Sequence, residues 1–294
     1  MSKKIKGLLI LLCVYLIAYL AGLVCFRILV DKVDIYLNIF ICNIVATVVV
    51  WLGGVIFKTA SVYDPYWSVQ TVLIGIALMV YYKNFSFGTV LYLGVICIWA
   101  IRLTYNFITT FHDLSYIDWR YKQIKEKTGP FYQVVNLVGI CMVPTIIVHF
   151  ASLPFFYYII NKVEFNWISL IGVGIMLIAT FLELVADINM HTFQKNRTSR
   201  EEIIRVGLWK YSRHPNYLGE ILFWYGVAAF TILANLSAVH LILGAIANTC
   251  LFLFISIPLA ENHLATYKKN YEEYKKETRK LLPRTKVKQV SLDT

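Results

Sequence analysis

The chain has 294 residues, of which 59% are hydrophobic and only 15% charged, and its formal net charge is +11. This apolar composition excludes an ordinary soluble domain and indicates an integral membrane protein with several membrane-spanning helices. No Pro-, Gly- or Ser-rich linker and no internal repeat interrupts the sequence. We therefore expect a single integral membrane domain over residues 1–294.

A helix needs about 20 apolar residues to cross a bilayer. Stretches of about this length predict an all-α polytopic protein with a bundle of about eight (seven to eight) transmembrane helices. The first stretch is too long for a signal peptide and no small-residue cleavage site follows it, so a retained helix is expected. The expected spans are 7–30, 36–57, 67–83, 87–111, 132–160, 166–190, 219–235 and 238–259.

Lysine and arginine are unevenly distributed between the predicted loops. With eight spans and a cytoplasmic N-terminus, 23 of these residues lie on the cytoplasmic side and four on the other side. This bias predicts that both termini are cytoplasmic. Topology and attraction to anionic lipid then account for the positive charge, so the lipid bilayer is the expected partner and nucleic acid is not. A bacterial inner membrane and the endoplasmic reticulum both suit this arrangement.

Ionisable residues inside the predicted spans are functional candidates, because burying charge in a bilayer is costly. Glu183 and Asp187 are four residues apart and share one helix face, so they need a cationic partner, a donor-bearing ligand or a shared proton. Asp187 lies near the cytoplasmic end of its span, where solvent is an alternative partner. Arg102 is a candidate structural counter-ion of either acid, and Glu220 is a further candidate.

A polar motif, "GLWKYSRHPNYLGE", runs from Gly207 to Glu220 between two apolar stretches. Asn216 can donate and accept hydrogen bonds at once, which suits an amide such as nicotinamide, and Glu220 faces the same way one turn later. No GxGxxG follows a strand, which excludes a Rossmann domain. The basic residues suit a phosphorylated ligand, and an ordinary positive cytoplasmic loop is the open alternative. They are Arg197, Arg200, Arg205, Lys210 and Arg213.

Two further polar-aromatic motifs, "YDPYW" and "DWRY", join predicted spans on the cytoplasmic side. Interfacial aromatic belts explain the rings of such motifs, but not Asp64 beside Pro65.

Near the C-terminus, aromatic and apolar residues recur at helical spacing and predict an amphipathic helix, which either lies on the membrane or covers a site. The six cysteines lie in apolar runs without metal-ligand spacing, so no metal site is expected.

These motifs occur together in one known family. The chain resembles the DUF1295 family within the steroid 5-alpha-reductase superfamily. The resemblance rests on the "GLWKYSRHPNYLGE" string, the helix exit from Pro258 to Glu261, the Tyr-rich tail ending in Leu-Leu-Pro, "YDPYW" and "DWRY". The likeness to the catalytic C-terminal region covers residues 183–285. The resemblance implies a membrane reductase that uses NADPH, bound on the cytosolic side, to saturate the C=C bond of a lipid enone. A 3-oxo-Δ4 steroid is the leading candidate substrate, and hydride is transferred to its β-carbon.

The resemblance also assigns roles to residues. Asp64 stands where animal steroid reductases have a Glu that holds the substrate ketone, and Trp99 stands where they have a Tyr. Asp64 is therefore the expected acid or the residue that orients one, with Tyr63, Tyr66 and Tyr105 as candidate proton donors. Resemblance and charge together predict a substrate site that includes Trp67, Trp99 and Glu183. The predicted cofactor residues are Asp187, Arg197, Arg205, Tyr211, Arg213, His214, Asn216, Glu220, His263 and Tyr267.

The Arg-His-Pro-x-Tyr string from Arg213 to Tyr217 leaves a rival function open. It also marks the isoprenylcysteine carboxyl methyltransferases and the phospholipid methyltransferases, which use S-adenosylmethionine. Asn216 with the following Leu-Gly-Glu, "YDPYW" and "DWRY" favour the reductase. A non-catalytic lipid-binding membrane protein is the third alternative, and it predicts no nucleotide binding.

Overall fold

The computed structural model describes residues 2–283. Within that range all regular secondary structure is helical apart from one isolated β-bridge between Ser212 and Arg279. The helices form two compact units, Met1–Glu164 and Phe165–Thr294. The expectation of an all-α polytopic membrane protein is confirmed.

Seven helices belong to the first unit. Polar side chains cap several of their N-termini: Ser2 accepts from the amide of Ile5, and Ser86 accepts from the amide of Thr89. The sixth helix continues through a π-helical segment, Asn136–Met142, into the seventh. The helices are α1 Lys3–Leu29, α2 Ile35–Ile56, α3 Tyr66–Tyr82, α4 Phe87–Thr110, α5 Trp119–Thr128, α6 Tyr132–Val135 and α7 Val143–Ile160.

Five helices belong to the second unit. Pro215 occupies the first position of its second helix, where a missing amide hydrogen costs nothing. A π-helical segment, Phe252–Ser256, joins the third helix to the fourth. The helices are α8 Leu170–Asn196, α9 Pro215–Ala234, α10 Leu243–Leu251, α11 Ile257–Ala265 and α12 Tyr271–Glu277.

Seven helical stretches of residues 2–283 are long and apolar enough to cross a membrane. The remaining expected span, 67–83, corresponds to α3, which has only 17 residues. The expected C-terminal amphipathic helix is interrupted, because α11 ends at Ala265 and Asn270 adopts a left-handed conformation with φ 56° before α12 begins. The cytoplasmic location of the termini stays a prediction.

Helices α8 and α9 pack closely because glycines lie at their contact. A Cβ atom at Gly219 would be 2.8 Å from the carbonyl oxygen of Ala179, and one at Gly226 would be 2.8 Å from the amide nitrogen of Met176. Small residues allow this approach of helix backbones in membranes. As a result Glu183 of α8 lies directly against Gly219, the residue before Glu220.

Candidate functional site

Two hydrogen bonds, one from the backbone and one from a side chain, fix the loop before α9 to α8. The Leu208 amide donates to Asn189 Oδ1 at 3.1 Å, and the Trp209 indole donates to the carbonyl oxygen of Ala186 at 3.0 Å. Gly207 has φ 56°, and a side chain there would collide with Asn189. This glycine therefore allows the loop to lie on α8 and sets the position of the residues that follow.

A buried polar cluster forms where this loop meets α11. Arg213 Nε donates to Glu261 Oε1 at 2.8 Å, and His214 Nε2 lies 3.0 Å from the same oxygen. The side chains of Arg213 and Glu261 are 8% and 11% exposed. Burial lowers the pKa of His214, although Glu261 opposes the shift, so the imidazole is neutral at pH 7. The cluster thus holds one guanidinium, one carboxylate and a neutral imidazole.

Arg213 also holds the C-terminal segment. Its Nη1 donates to the carbonyl oxygens of Lys275, at 3.0 Å, and Thr278. Its backbone amide donates to the carbonyl oxygen of Arg279 at 2.9 Å. On α12, Tyr274 Oη donates to the carbonyl oxygen of Trp209 at 2.8 Å. Arg213 therefore positions this segment, and its assignment to a cofactor stays a prediction.

Asn216 lies in the first turn of α9, beside this cluster in sequence. Its Oδ1 atom is buried and has no hydrogen-bond partner. The neighbouring rings are ordered: His214 stacks parallel on Tyr217 with centroids 5.3 Å apart, and Tyr217 contacts Phe252 at 4.9 Å. Buried acceptors are almost always hydrogen-bonded, so Oδ1 is suited to an N–H or O–H donor of a ligand.

The predicted acidic residues lie on α8 and α9, and Glu183 lies at the contact between the two helices. Glu220 is buried and its Oε1 accepts from the indole of Trp224 at 2.8 Å. Glu183 is fully buried, and Asp187 is half-buried one turn further along α8. The structure therefore places Glu183 against the residue that precedes Glu220, a proximity that was not predicted.

A positively charged patch lies between the end of α8 and the end of α11. Lys268 Nζ donates to the carbonyl oxygen of Glu202 and lies 5.4 Å from the ring centroid of Tyr267. Burial and the nearby charge of Arg197 lower the pKa of Lys268. Burial raises the pKa of Tyr267, and the charges of Arg197 and Arg200 oppose this shift. Three cations close enough to perturb their neighbours favour an anionic ligand.

His263 borders this patch, and two other predicted cofactor residues, Arg205 and Tyr211, lie at the surface of the same unit together with Lys210. The His263 and Tyr267 rings are 5.2 Å apart. Arg205 forms an ion pair with Glu277 and lies 5.4 Å from the ring centroid of Tyr274. Tyr211 is 42% exposed and Lys210 is exposed. Their roles stay predictions.

In the first unit, Asp64 follows a short 3-10 turn, Ala60–Val62, and precedes α3. Tyr121 Oη donates to Asp64 Oδ1. Burial raises the pKa of Asp64 from its ordinary value of 3.8 to about 6, while the charge of Arg120 and the Tyr121 hydrogen bond oppose the shift. A carboxyl group with this pKa is half protonated near pH 6 and can donate a hydrogen bond.

Several predicted aromatic site residues, Tyr63, Tyr66 and Trp67, lie close to Asp64 in the sequence. The Tyr63 hydroxyl lies 2.9 Å from Thr145 Oγ1, and the rings of Tyr63 and Tyr66 are 5.9 Å apart. The Trp67 and Trp99 rings meet edge to face at 5.6 Å, and Trp99 is fully buried. The remaining candidate donor, Tyr105, is 63% exposed on α4, so it does not share their buried environment.

Tyr121, Glu261 and Lys268 belong to these clusters but were not among the predicted site residues, and the first two form the key contacts. Tyr121 bonds Asp64, and Glu261 pairs with both Arg213 and His214. Each had a sequence signal, since Tyr121 belongs to "DWRY" and Glu261 follows Pro258 at the helix exit. The sequence did not indicate which residues Tyr121 and Glu261 would contact.

Fold and site define a multi-pass helical membrane protein with buried polar clusters near the ends of its helices. A family model described as "Protein of unknown function (DUF1295)" matches residues 50–279, well over half of the chain. The chain therefore belongs to the DUF1295 family, which is consistent with the resemblance to the steroid 5-alpha-reductase superfamily. No curated protein and no solved structure matches it significantly. The matched region contains Asp64, Tyr121 and the whole Arg213 cluster.

Proposed function

We propose that this protein is an NADPH-dependent membrane reductase that saturates the C=C bond of a lipid enone, with a 3-oxo-Δ4 steroid as the leading candidate substrate. One observation carries the proposal: the buried Oδ1 of Asn216 has no hydrogen-bond partner. The carboxamide of a nicotinamide ring offers an N–H donor for this atom. When bound, the cofactor supplies the hydride that the β-carbon of the enone receives.

The second unit contains groups that fit the rest of such a cofactor. Arg197, Arg200 and Lys268 supply positive charge for its phosphate groups, and Arg forks match phosphate oxygens well. The rings of His263 and Tyr267 lie beside these cations and offer apolar faces to a nucleoside. Three cations also favour NADPH over NADH, because NADPH carries one phosphate more.

The first unit contains a group that fits the acid. Negative charge develops on the carbonyl oxygen of an enone as its β-carbon is reduced, so a hydrogen-bond donor there accelerates the reaction. Asp64 retains a proton to about pH 6, which suits this role. Tyr121 fixes the carboxyl group through its hydroxyl. We assign Asp64 as the acid and Tyr121 as its positioning residue.

The membrane setting supports a lipid substrate. Helices that span the bilayer give an apolar molecule direct access, and Trp67, which is half-buried and packs against the buried Trp99, supplies flat apolar surface in the unit that contains Asp64. A rigid polycyclic enone complements such surfaces at little cost in conformational entropy.

A second candidate is an S-adenosylmethionine-dependent methyltransferase. The observation in its favour is the buried ion pair of Arg213 and Glu261, which offers both charges to a zwitterionic ligand. The Nε and Nη1 donors of Arg213 are, however, already used by Glu261 and by backbone carbonyls of the C-terminal segment. This arrangement favours a structural role for Arg213, so the reductase is the better-supported proposal.

Ligand-induced thermal stabilisation of the detergent-purified protein tests the proposal. NADPH, NADH and S-adenosylmethionine are titrated separately, because a ligand that binds only the folded state raises its Tm. We expect NADPH to raise Tm most and Asn216→Ala to abolish the shift. Asn248→Ala is the matched control, since the side-chain nitrogen of Asn248 is also buried without a partner but lies on α10.

The three alternatives give different outcomes. Stabilisation by S-adenosylmethionine alone would identify a methyltransferase. No stabilisation by any of the three ligands would favour the non-catalytic lipid-binding protein. Loss of the NADPH shift in Asn248→Ala but not in Asn216→Ala would place the nicotinamide elsewhere.

A further inference from the structure

A cavity of about 320 Å³ lies within the first unit, bounded by α1, α2 and α3. This volume is at the lower end of the range for small-molecule sites, which is roughly 300–1,000 Å³. Its walls are mostly apolar and are contributed by all three helices. They include Leu23, Phe26, Ile39, Leu73, Ile74 and Leu78.

Two amide side chains line this apolar cavity. Gln70 of α3 is 3% exposed, and neither its Oε1 nor its Nε2 has a hydrogen-bond partner. Asn43 of α2 is also 3% exposed, and its Nδ2 lies 3.3 Å from His149 Nδ1 while its Oδ1 has no partner. Three buried polar atoms in a mostly apolar wall are costly unless something in the cavity satisfies them.

The chemistry of these atoms defines their complement. Two carbonyl oxygens need donors, and the Gln70 nitrogen needs an acceptor. A ketone or an ester only accepts, so it leaves both oxygens unsatisfied. A hydroxyl group donates to one oxygen and accepts from the nitrogen at the same time. No acidic side chain lines the cavity, and the single basic one, Arg27, lies in the last turn of α1.

We propose that this cavity binds an uncharged lipid alcohol, with the hydroxyl group hydrogen-bonded by Gln70 and Asn43 and the apolar body packed against α1, α2 and α3. The proposed cofactor residues and Asp64 do not line the cavity, whereas the candidate proton donor Tyr66 contributes to its wall. Its ligand is an alcohol, whereas the proposed reaction consumes an enone. Binding is therefore expected without nucleotide, so a failure here is separable from a failure of the reductase proposal.

The test measures the Tm of the detergent-purified full chain without nucleotide. The probes are dodecan-1-ol, the polycyclic alcohol 1-adamantanemethanol, the ketone dodecan-2-one and the hydrocarbon dodecane. We expect at least one alcohol to raise Tm while the ketone and the hydrocarbon have little effect. The two alcohols distinguish an acyl-chain source from a polycyclic one.

Variants assign the effect to the cavity. Gln70→Leu should weaken the apparent affinity for the alcohol about tenfold, the usual effect of losing one well-placed hydrogen bond. Gln133→Leu on α6, where the side chain is exposed, is the matched control and should bind normally. Ala77→Phe keeps Gln70 but fills the cavity, so it should abolish binding even if Gln70→Leu does not fold.

Three results would overturn the proposal. Equal stabilisation by dodecane would show an apolar gap without polar recognition. Full alcohol binding by both Gln70→Leu and Ala77→Phe would place the alcohol elsewhere. Stabilisation by neither alcohol, whatever the Tm of Gln70→Leu, would show that the cavity does not bind a lipid alcohol.

Discussion

The hydroxyl group of Tyr121 donates a hydrogen bond to Asp64, a residue 57 positions earlier in the chain. This bond joins the "YDPYW" and "DWRY" motifs into one structure. Burial raises the pKa of the Asp64 carboxyl group, whereas the Arg120 charge and the Tyr121 hydroxyl favour its ionised form. The balance of these influences, rather than Asp64 alone, determines the pH at which the carboxyl group keeps its proton.

The proposed role of Asp64 predicts a descending pH profile. The acid must be protonated, so kcat for an enone should fall as the pH rises through about 6. Asp64→Asn should lower kcat by roughly 10²–10⁴-fold and remove this pH dependence. Steady-state kinetics between pH 5 and pH 8 measure both effects. Unchanged kcat in Asp64→Asn would exclude Asp64 as the acid.

The same raised pKa has a consequence for stability. The unfolded chain ionises at Asp64 near pH 3.8 and the folded protein near pH 6, so in this window the folded state binds the extra proton. The contribution of Asp64 to the free energy of unfolding therefore decreases as the pH rises from about 4 to about 6. In Asp64→Asn the free energy of unfolding should lack this decrease, which thermal unfolding measured between pH 4 and pH 6 can check.

Tyr121→Phe should move the pH profile. Removing a hydrogen bond that stabilises the carboxylate raises the pKa of Asp64 further, so activity should persist to higher pH. Tyr132→Phe is the control, because Tyr132 contacts Lys125 and has no hydrogen bond to Asp64. A shift of the profile to lower pH in Tyr121→Phe, or an equal shift in the control, would contradict this prediction.

Glu261→Ala should release the C-terminal segment. The change leaves the buried guanidinium of Arg213 without its carboxylate, and breaking a buried ion pair costs about 3–5 kcal/mol. We expect a lower Tm and faster tryptic cleavage after Lys275, Lys276 and Arg279. Glu201→Ala breaks the exposed pair with Lys269 and should change little. If trypsin cleaved Glu261→Ala no faster than the unaltered protein, the Arg213–Glu261 pair would not hold the segment in place.

Gly219→Ala should separate α8 from α9. The new methyl group would lie 2.8 Å from the carbonyl oxygen of Ala179, and a helix backbone cannot yield as a flexible side chain can. Gly174→Ala on α8 is the matched control, because nothing lies within 4 Å of its added atom. It should be neutral or stabilising by up to about 1 kcal/mol, from helix propensity. Thermal unfolding of both variants gives the comparison, and equal Tm values would refute the close contact.

Much of the fold was predictable because it depends on local signals. Apolar length locates the helices, and Ser, Asp and Pro mark several of their first turns, as at Ser86 and Pro215. The break between α11 and α12 was not predicted, because the aromatic periodicity continues through it. Helix α11 ends at Ala265, and Asn270 adopts the left-handed conformation, which asparagine tolerates, immediately before α12.

Many residues of the candidate site could be predicted from the sequence, but the hydrogen bonds and ion pairs between them could not. Buried charges such as Glu183 and Glu220 stand out in an apolar sequence. The partner of Asp64 and the shared carboxylate of Arg213 and His214 depend on contacts between residues 47 or more positions apart. No local pattern specifies such pairs, because they arise only when the helices are packed.

The hydrogen bonds between Arg213 and the C-terminal segment affect the order in which the second unit can mature during synthesis. The carbonyl groups that Arg213 binds lie 62 and 65 residues later in the chain. At about 5–20 residues per second, a ribosome needs on the order of several seconds to supply them. During that interval α8 and α9 can already be inserted while the guanidinium of Arg213, in the loop before α9, lacks its final partners. Any fusion or truncation that delays or removes residues 275–279 therefore extends the period in which the nascent membrane protein is open to quality-control proteases.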